Sequence, residues 1–191
     1  MTTFKQHMNE MANVEARIPL NDALKLSGEI ATKAGFKMIM PNKITGDSIF
    51  PRNVMIPTGS VRRGKSSIGD IDFVCTGDFD ENDAAELEGT EEVWSRGEKQ
   101  IFFNYHSDDG LWRPINVFIL DDPDSFGAFM IHTTGSNTFN IITRKRAKKE
   151  GLLVNQYGVF NRETREKLAG QTENAVFKVL GMDWIPPNER A

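Results

Sequence analysis

Hydrophobic and polar residues recur with two different periods along the chain. Over residues 20–34 the apolar positions recur every three to four residues, which predicts a helix that ends at Gly35. Residues 100–106 instead alternate between two faces, as the residues of a strand do. The polar turn at 107–110 favours a hairpin in which residues 112–120 form the returning strand. The chain is therefore predicted to combine helices with a sheet.

Shorter periodic segments and their capping residues predict further elements. Ser136 and Thr172 each precede a helical pattern, and their side-chain oxygens can cap a helix. The further helices are predicted over residues 3–12, 83–88, 126–133, 138–150 and 172–181. The further strands are predicted over residues 53–58, 73–76, 152–154 and 158–160. Residues 36–52 are rich in turn formers, so we expect loops with at most a short strand there.

One polar stretch, residues 59–72, combines two kinds of chemistry. Its sequence is GSVRRGKSSIGDID. The first two residues open a glycine-containing loop whose free backbone N–H groups can bind an anion. Arg62, Arg63 and Lys65 add charged donors, and an arginine can bind phosphate oxygens through two parallel hydrogen bonds. The stretch is therefore predicted to bind phosphate.

Asp70 and Asp72 follow this loop, at the start of a predicted apolar strand. Alternate strand residues point to the same face, about 6.6 Å apart along the chain, so the two carboxylates are expected to project together. Two carboxylates beside an anion-binding loop suit Mg²⁺ that carries a nucleoside triphosphate. Each feature alone has an ordinary explanation, because Asp-x-Asp is common at solvated strand ends and Gly-Ser is usually only a turn. Their combination within one short stretch favours nucleotidyl transfer.

The same stretch resembles the signature of the nucleotidyltransferase superfamily, and in its Arg-Arg-Gly form that of DNA polymerase family X, the polymerase beta group. The resemblance runs from about Ile18 to the end of the chain. It includes segments similar to the family's passage from palm to thumb, to a thumb strand and to the C-terminal ending. These segments are Phe126-Gly127, Thr134-Gly135-Ser136 through Phe139-Asn140, residues 155–160 (NQYGVF), and Asp183-Trp184-Ile185-Pro186-Pro187 through Arg190.

This resemblance implies an α+β fold. A nucleotidyltransferase palm with a mixed β-sheet and covering helices would occupy residues 18–134, and a small C-terminal α/β thumb would occupy residues 135–191. Residues 1–17 would form an N-terminal extension, too short for the family's lyase domain or fingers module. The expected protein is a minimal polymerase without lyase activity. Its reaction would be the template-directed addition of a deoxynucleotide to a primer 3′-hydroxyl, at short gaps during DNA repair.

The resemblance also implies which residues form the site. Asp70 and Asp72 would be catalytic and would bind two Mg²⁺ ions, for which Mn²⁺ could substitute. The deoxynucleoside triphosphate would be bound by Gly59, Ser60, Arg63, Gly69, His132, Gly135 and Asn140. The DNA, a primer–template or a gapped duplex, would be bound by Arg144, Lys145, Lys148 and Tyr157. His132 and Thr133 stand where the family usually has an aromatic pair at the sugar pocket, so selectivity between deoxyribose and ribose stays open.

Asn116 stands at the position of the family's third catalytic and metal-binding aspartate. Its amide oxygen can ligate Mg²⁺, but it is neutral and accepts a proton poorly. The catalytic metal is therefore expected to bind more weakly, and the primer hydroxyl loses a base that typically contributes about 10²–10⁴ in rate. Two explanations stay open. One is a deliberate replacement of an aspartate, which the intact nucleotide loop and thumb favour, and the other is a protein that binds without efficient turnover.

The composition is that of an ordinary globular protein. The chain has 191 residues, 39% hydrophobic and 26% charged, with a net charge of −4. Acidic residues concentrate in residues 78–92 and basic residues in 144–149, and the position of the basic segment in the expected thumb favours DNA contact over a merely solvated helix face. A single cysteine and the lack of a long apolar stretch predict a cytoplasmic monomer without membrane contact.

Two other functions remain open. The first is a small-acceptor nucleotidyltransferase that modifies an antibiotic, a protein or a tRNA end, which the basic thumb helix and the strand at Tyr157 disfavour. The second is a non-catalytic pseudoenzyme that binds DNA or nucleotide, which Asn116 would explain.

Overall fold

The computed structural model describes residues 17–108 and 110–190, so the helix predicted over residues 3–12 lies outside the described residues. The helices are α1 (Leu20–Lys33), α2 (Gly59–Arg62), α3 (Glu81–Glu86), α4 (Phe126–Thr134), α5 (Asn137–Lys149) and α6 (Glu173–Val179). The strands are β1 (Ile18–Pro19), β2 (Lys37–Met38), β3 (Val54–Pro57), β4 (Ser67–Ile68), β5 (Ile71–Cys75), β6 (Thr90–Ser95), β7 (Gln100–His106), β8 (Trp112–Ile119), β9 (Leu152–Asn155), β10 (Gly158–Asn161) and β11 (Lys167–Ala169). Within the described residues, no helix has the length and apolar character needed to cross a membrane.

A six-stranded sheet forms the centre of the N-terminal part of the fold. Its strand order is β2-β3-β5-β8-β7-β6. β5 and β8 are parallel, whereas β7 and β8 pair antiparallel as the predicted hairpin requires. The sheet is therefore mixed, and the predicted α+β class is confirmed.

Helices cover both faces of this sheet. α1 packs its apolar stripe, which includes Leu26 and Ile30, against one face. α4 covers part of the other face, where the rings of Phe118 and Phe129 meet edge to face with centroids 6.5 Å apart. Because strand side chains alternate, Asn116 lies two residues before Phe118 on the face that α4 covers. The candidate catalytic residues therefore lie on the α4 face and not on the α1 face.

The C-terminal residues form another apolar cluster around a small antiparallel sheet in the order β11-β10-β9. Phe139, Val159 and Phe177 are among its buried side chains. Ser136 and Thr172 cap α5 and α6 as predicted, since each hydroxyl accepts a hydrogen bond from the backbone N–H three residues further on. The cluster thus joins both capped helices to the small sheet.

Three segments differ from the sequence prediction. The sequence does not predict β6, because its residues include adjacent glutamates and do not alternate between apolar and polar. Hydrogen-bonded pairing with β7 holds this segment in an extended conformation. β11 is a three-residue strand that depends in the same way on β10. The loop predicted to begin at Gly59 is instead the helical turn α2. In all three segments, contacts with distant residues decide the local structure.

A buried ionic cluster links the N-terminal part of the fold to the C-terminal part. Glu173, at the start of α6, binds Arg62 of α2 and Arg190 near the C-terminus, each at 2.7 Å. All three residues are buried. Burial alone raises the pKa of the Glu173 carboxyl, but hydrogen bonds and charge from Arg190 and Arg62 outweigh burial and lower the pKa to about 2.

Arg62 is consequently not a phosphate donor, and that part of the sequence prediction is wrong. Its guanidinium donates to Glu173 at 2.7 Å, to Thr134 Oγ1 at 2.6 Å and to the Ile44 carbonyl at 3.3 Å. A guanidinium surrounded by protein acceptors positions α2 and is not free to bind a ligand.

Replacing Glu173 is expected to destabilise the fold strongly. Glu173→Ala leaves two buried guanidinium groups without their shared anion, and we expect the free energy of unfolding to fall by about 3–5 kcal/mol. Urea unfolding at pH 7 measures the loss, with the exposed Glu163→Ala as the matched control. Because the pKa of Glu173 is lowered from 4.5 to about 2, the stabilisation is present at neutral pH and is lost as the pH falls through that range. A loss equal to that of the control would contradict the role of the cluster.

Candidate active site

Asp72 and Asn116 face each other across the two parallel strands at the centre of the large sheet. They are register partners on β5 and β8, and the Asn116 Nδ2 donates to Asp72 Oδ1 at 2.8 Å. The Oδ1 of Asn116 is buried and has no hydrogen-bond partner among the described residues. The pair therefore presents one anionic group and one unsatisfied neutral oxygen, both of them ligands that a hard cation accepts.

Gly59 brings the first turn of α2 directly against this pair. Gly59 has a φ of +52°, and a Cβ at this position would lie 2.1 Å from Asp72 Oδ2, so only glycine fits. The first backbone N–H groups of a helix have no partner within the helix. In the part of the chain that the structure describes, the side-chain Oγ of Ser60 is likewise buried without a hydrogen-bond partner. The backbone groups predicted to bind an anion from a loop thus belong to the start of a helical turn, next to a carboxylate.

Asp70 lies one residue before β5, so the two carboxylates do not both belong to the strand as predicted. They are nevertheless close enough to interact. Burial, and then the negative charge of Asp70, raise the pKa of Asp72 to about 7, although the hydrogen bond from Asn116 and the charge of Arg63 oppose the shift. Such a site would gain stability from a cation that neutralises the two carboxylates.

Arg63 connects this cluster to the end of α4. Its guanidinium donates to the Thr134 carbonyl and lies 3.3 Å from the position of a Cβ on Gly135, which has a φ of +67°. Burial lowers the pKa of Arg63, while the charges of Asp72 and Asp70 act in the opposite direction. Arg63 is therefore close both to the two carboxylates and to Gly135.

Gly69 also lies against an arginine, which the sequence analysis missed. A Cβ on Gly69 would lie 2.9 Å from Arg17 Nη1. Arg17 donates to Ser67 Oγ at 3.0 Å and to the Ser67 carbonyl at 2.8 Å. The pairing of β1 with β4 brings Arg17 here, and no local sequence signal announces that two-residue pairing.

His132, Asn140 and Arg144 form a second cluster, at the end of α4 and the start of α5. The Asn140 amide donates to the His132 carbonyl at 2.8 Å. Arg144 Nη2 lies 2.9 Å from His132 Nδ1, and because arginine only donates, this ring nitrogen is the acceptor. Burial, and then the charge of Arg144, lower the pKa of His132. Thr133 is engaged elsewhere, since its hydroxyl donates to the Phe129 carbonyl at 2.9 Å.

The structure thus brings together some of the predicted site residues and leaves others on the surface. Direct contacts connect Gly59, Asp72 and Asn116, and Arg63 approaches Gly135. The residues predicted to bind DNA lie on the exposed side of the C-terminal part: Arg144, Lys145, Lys148 and Tyr157.

The oxygen atoms at this site fit a hard divalent cation whose remaining ligands come from water or phosphate. Among the described residues, no group of three or more His, Cys, Asp or Glu side chains is arranged to hold a metal. The available ligands are instead two carboxylates and the unsatisfied amide oxygen of Asn116. Asp121 does not add a third carboxylate, because it binds Lys99 at 2.5 Å. The Asp122 carboxylate accepts a hydrogen bond from the Ser125 hydroxyl.

Comparisons with known proteins relate the chain to DNA polymerases. Residues 129–191 match the family described as DNA polymerase beta thumb. The DNA polymerase/3'-5' exonuclease PolX of Bacillus subtilis (strain 168) is 26% identical over 192 residues, which cover 97% of this chain and 30% of that protein. The human DNA-directed DNA/RNA polymerase mu is 31% identical over 81 residues, or 41% of this chain and 16% of that protein. The chain therefore spans less than a third of the length of either relative.

A solved structure shares the fold. Leishmania infantum polymerase beta, described as a ternary P/T complex, superposes with a TM-score of 0.70 at 19% identity. The superposition covers 92% of this chain and 77% of that chain. At this identity the superposition shows the fold, and the arrangement of large sheet, covering helices and C-terminal cluster is that of polymerase beta.

The raised pKa of Asp72 predicts a pH-dependent effect on stability. Since its pKa rises from 3.8 to about 7 on folding, ionised Asp72 lowers stability progressively between those two values. We expect Asp72→Asn to raise the Tm of the metal-free protein at pH 8 by at least about 3 °C, and by less at pH 5. Calorimetry in a chelating buffer measures the difference, with the exposed Asp108→Asn as control. An equal gain at both pH values would contradict the raised pKa of Asp72.

Proposed function

Because the chain is a relative of the DNA polymerases of family X, we propose that it adds deoxynucleotides to a primer 3′-hydroxyl under the direction of a template. The observation that carries the proposal is the contact of Gly59 with Asp72, which puts the first backbone N–H groups of α2 and a carboxylate at one point. A triphosphate needs N–H donors, and its metal ion needs carboxylates. The described residues bring both together beside the Thr134–Gly135 segment.

Each residue of the site has a distinct part in binding. Asp70 and Asp72 would hold Mg²⁺ or Mn²⁺, which would neutralise phosphate charge and make the primer hydroxyl more acidic. Ser60, Arg63, Gly69 and the first turn of α2 bind the triphosphate through hydrogen bonds. Arg17 adds a positive charge beside Gly69. Asn140 and His132 border the nucleotide on the α5 side.

The reaction exchanges a phosphoanhydride bond of the triphosphate for a phosphodiester bond. The primer 3′-oxygen forms a bond to the α-phosphorus, the bond from that phosphorus to its bridging oxygen breaks, and pyrophosphate leaves with the bonding electrons. The hydroxyl proton must leave the 3′-oxygen. Asn116 cannot accept this proton as a carboxylate would, so water has to take it, and we infer slow turnover.

Restoring a carboxylate at position 116 tests this inference. We expect Asn116→Asp to accelerate primer extension on a gapped duplex with Mg²⁺ by about 10²–10⁴. Single-turnover primer extension measures the rate. Asp72→Ala in the Asn116→Asp background is the control and should abolish extension. Absence of extension by Asn116→Asp would refute the polymerase proposal, and extension that survives the loss of Asp72 would refute the role of that carboxylate. A wild-type rate equal to that of Asn116→Asp would refute only the inference about Asn116.

A second candidate is a non-catalytic protein that binds DNA and nucleotide. The observation that favours it is the hydrogen bond from Asn116 to Asp72, which stabilises the pair without a metal ion. In that case the Asn116→Asp variant would bind nucleotide but would not extend a primer. Both candidates would bind DNA on the same surface. Only primer extension by the Asn116→Asp variant distinguishes them.

Salt dependence separates both candidates from a small-acceptor transferase. If Arg144, Lys145 and Lys148 neutralise three phosphates, replacing all three with glutamine should reduce the slope of log affinity against log salt by about 2.7. Fluorescence anisotropy with gapped duplex DNA between 50 and roughly 200 mM salt measures the slope. A wild-type affinity that does not respond to salt would instead support the small-acceptor function.

The packing of α4 bears on the division of the chain into palm and thumb. We propose a palm and a thumb that meet within α4, since Phe129 packs against the large sheet while Ala128 and Ile131 pack into the C-terminal cluster. The thumb would then begin close to residue 129, where the family match starts, and α4 would transmit contacts between palm and thumb.

A further inference from the structure

Three apolar clusters meet at a groove on the surface of the fold. Leu20 and Leu24 pack against the cluster on the α1 side of the large sheet, Ile44 belongs to the cluster on the α4 side, and Trp184 packs against the C-terminal cluster. The groove between them has a volume of about 360 Å³. We call it the junction groove, and its large apolar lining residues are Leu20, Leu24, Met40, Ile44, Val61 and Trp184.

The junction groove is a recess with one wall fixed by a hydrogen bond. The indole N–H of Trp184 donates to Glu173 at 2.7 Å, which holds the ring in place. Among the large apolar lining residues that the structure describes, only Met40 is strongly exposed, at 38%, and the others are recessed. Gly59 and Ser60 are not among the described lining residues. An occupant would therefore leave the candidate active site open.

The size and position of the junction groove point to an inserted apolar segment. Protein interiors are packed closely and contain few voids larger than a water molecule. An apolar cavity of about 150 Å³ is large enough to hold benzene, so a groove of about 360 Å³ has room for two large apolar side chains. A second copy of the chain is a poor occupant, because a stable interface buries about 800 Å² on each partner. A recess suits inserted side chains better than such a broad surface.

The residues that precede Arg17 supply suitable side chains. Phe4, Met8 and Met11 recur every three to four residues, so they share one side of the helix predicted over residues 3–12. Methionine is unbranched and fills irregular apolar gaps. The sequence thus offers an apolar stripe that nothing in the described part of the fold requires.

This segment also enters the described structure close to the groove. Leu20 lines the groove only three residues after Arg17, and two hydrogen bonds hold Arg17 to Ser67. Residues 13–16 can span about 13 Å when extended, and a helix over residues 3–12 is about 15 Å long. The apolar stripe can therefore reach the junction groove without a long loop.

We propose that residues 1–16 bind in the junction groove of the same chain, with Phe4 and Met8 inserted beside Met40 and Trp184. The occupied groove would join α1, α2 and the C-terminal part of the fold. It would stabilise the protein without entering the candidate active site. The proposal does not depend on the polymerase function.

A photo-crosslink in the full chain locates the segment. The chain carries p-benzoylphenylalanine in place of Phe4, and the digested protein is analysed by mass spectrometry after irradiation. We expect a cross-link within one chain to Met40 or Trp184, which line the groove. The matched control carries the same group in place of Gln6, on the opposite side of the predicted helix, and should not label these two residues. A cross-link between two copies, or the lack of a cross-link to the groove, would overturn the proposal.

Thermal unfolding of the full chain measures the stabilisation independently. Phe4→Ala/Met8→Ala should lower the Tm by about 4–8 °C, because two apolar side chains lose their contacts. Gln6→Ala/Asn9→Ala, on the polar side, is the control and should keep the wild-type Tm. In a Met40→Ala background the loss should be smaller, since part of the contact is already removed.

An unchanged Tm for the Phe4→Ala/Met8→Ala variant, or an undiminished loss in the Met40→Ala background, would contradict the insertion beside Met40. Neither measurement uses DNA or nucleotide. Failure of this inference therefore leaves the proposed polymerase function untouched, and failure of primer extension leaves this inference untouched.

Discussion

The carboxylate of Glu173 accepts hydrogen bonds from two arginines that lie far apart in the sequence, Arg62 and Arg190. Arg62 belongs to the turn that also contains Gly59, so the position of this turn is fixed through a carboxylate in α6. Trp184 donates its indole N–H to the same carboxylate at 2.7 Å. Removing three charged groups from water is costly unless each is paired, and here the pairing depends on the whole fold being assembled. The geometry of the site is therefore coupled to the packing of the C-terminal part.

A second constraint acts within the site itself. Asp70 and Asp72 repel each other, and burial adds to the cost of ionising Asp72. A third carboxylate at position 116 would increase that repulsion in the absence of a cation. The amide of Asn116 instead donates to Asp72 and relieves part of it. In the proposed reaction an asparagine at this position supplies no proton acceptor, whereas in the free protein its amide donates a hydrogen bond to Asp72.

Positive and negative charges are concentrated on different parts of the surface. The protein is acidic overall, yet α5 exposes a row of cations beside two isoleucines, while the acidic residues concentrate around α3 and β6. Phosphates are therefore attracted to one side of the fold and repelled from another. A surface of this kind orients a nucleic acid before any specific contact forms.

The sequence by itself determined the elements whose signals are local: α1 and its apolar stripe, the β7–β8 hairpin, and the Ser136 and Thr172 caps. It also indicated the chemistry of residues 59–72 and, through resemblance, the family. Only the tertiary structure decided that Arg62 is buried against Glu173, that Arg17 lies over Gly69, and that Asp72 lies opposite Asn116. Periodicity and capping depend on neighbouring residues, whereas these pairings join residues that are distant in sequence. A two-residue strand such as β1 carries too little sequence signal to predict its partner.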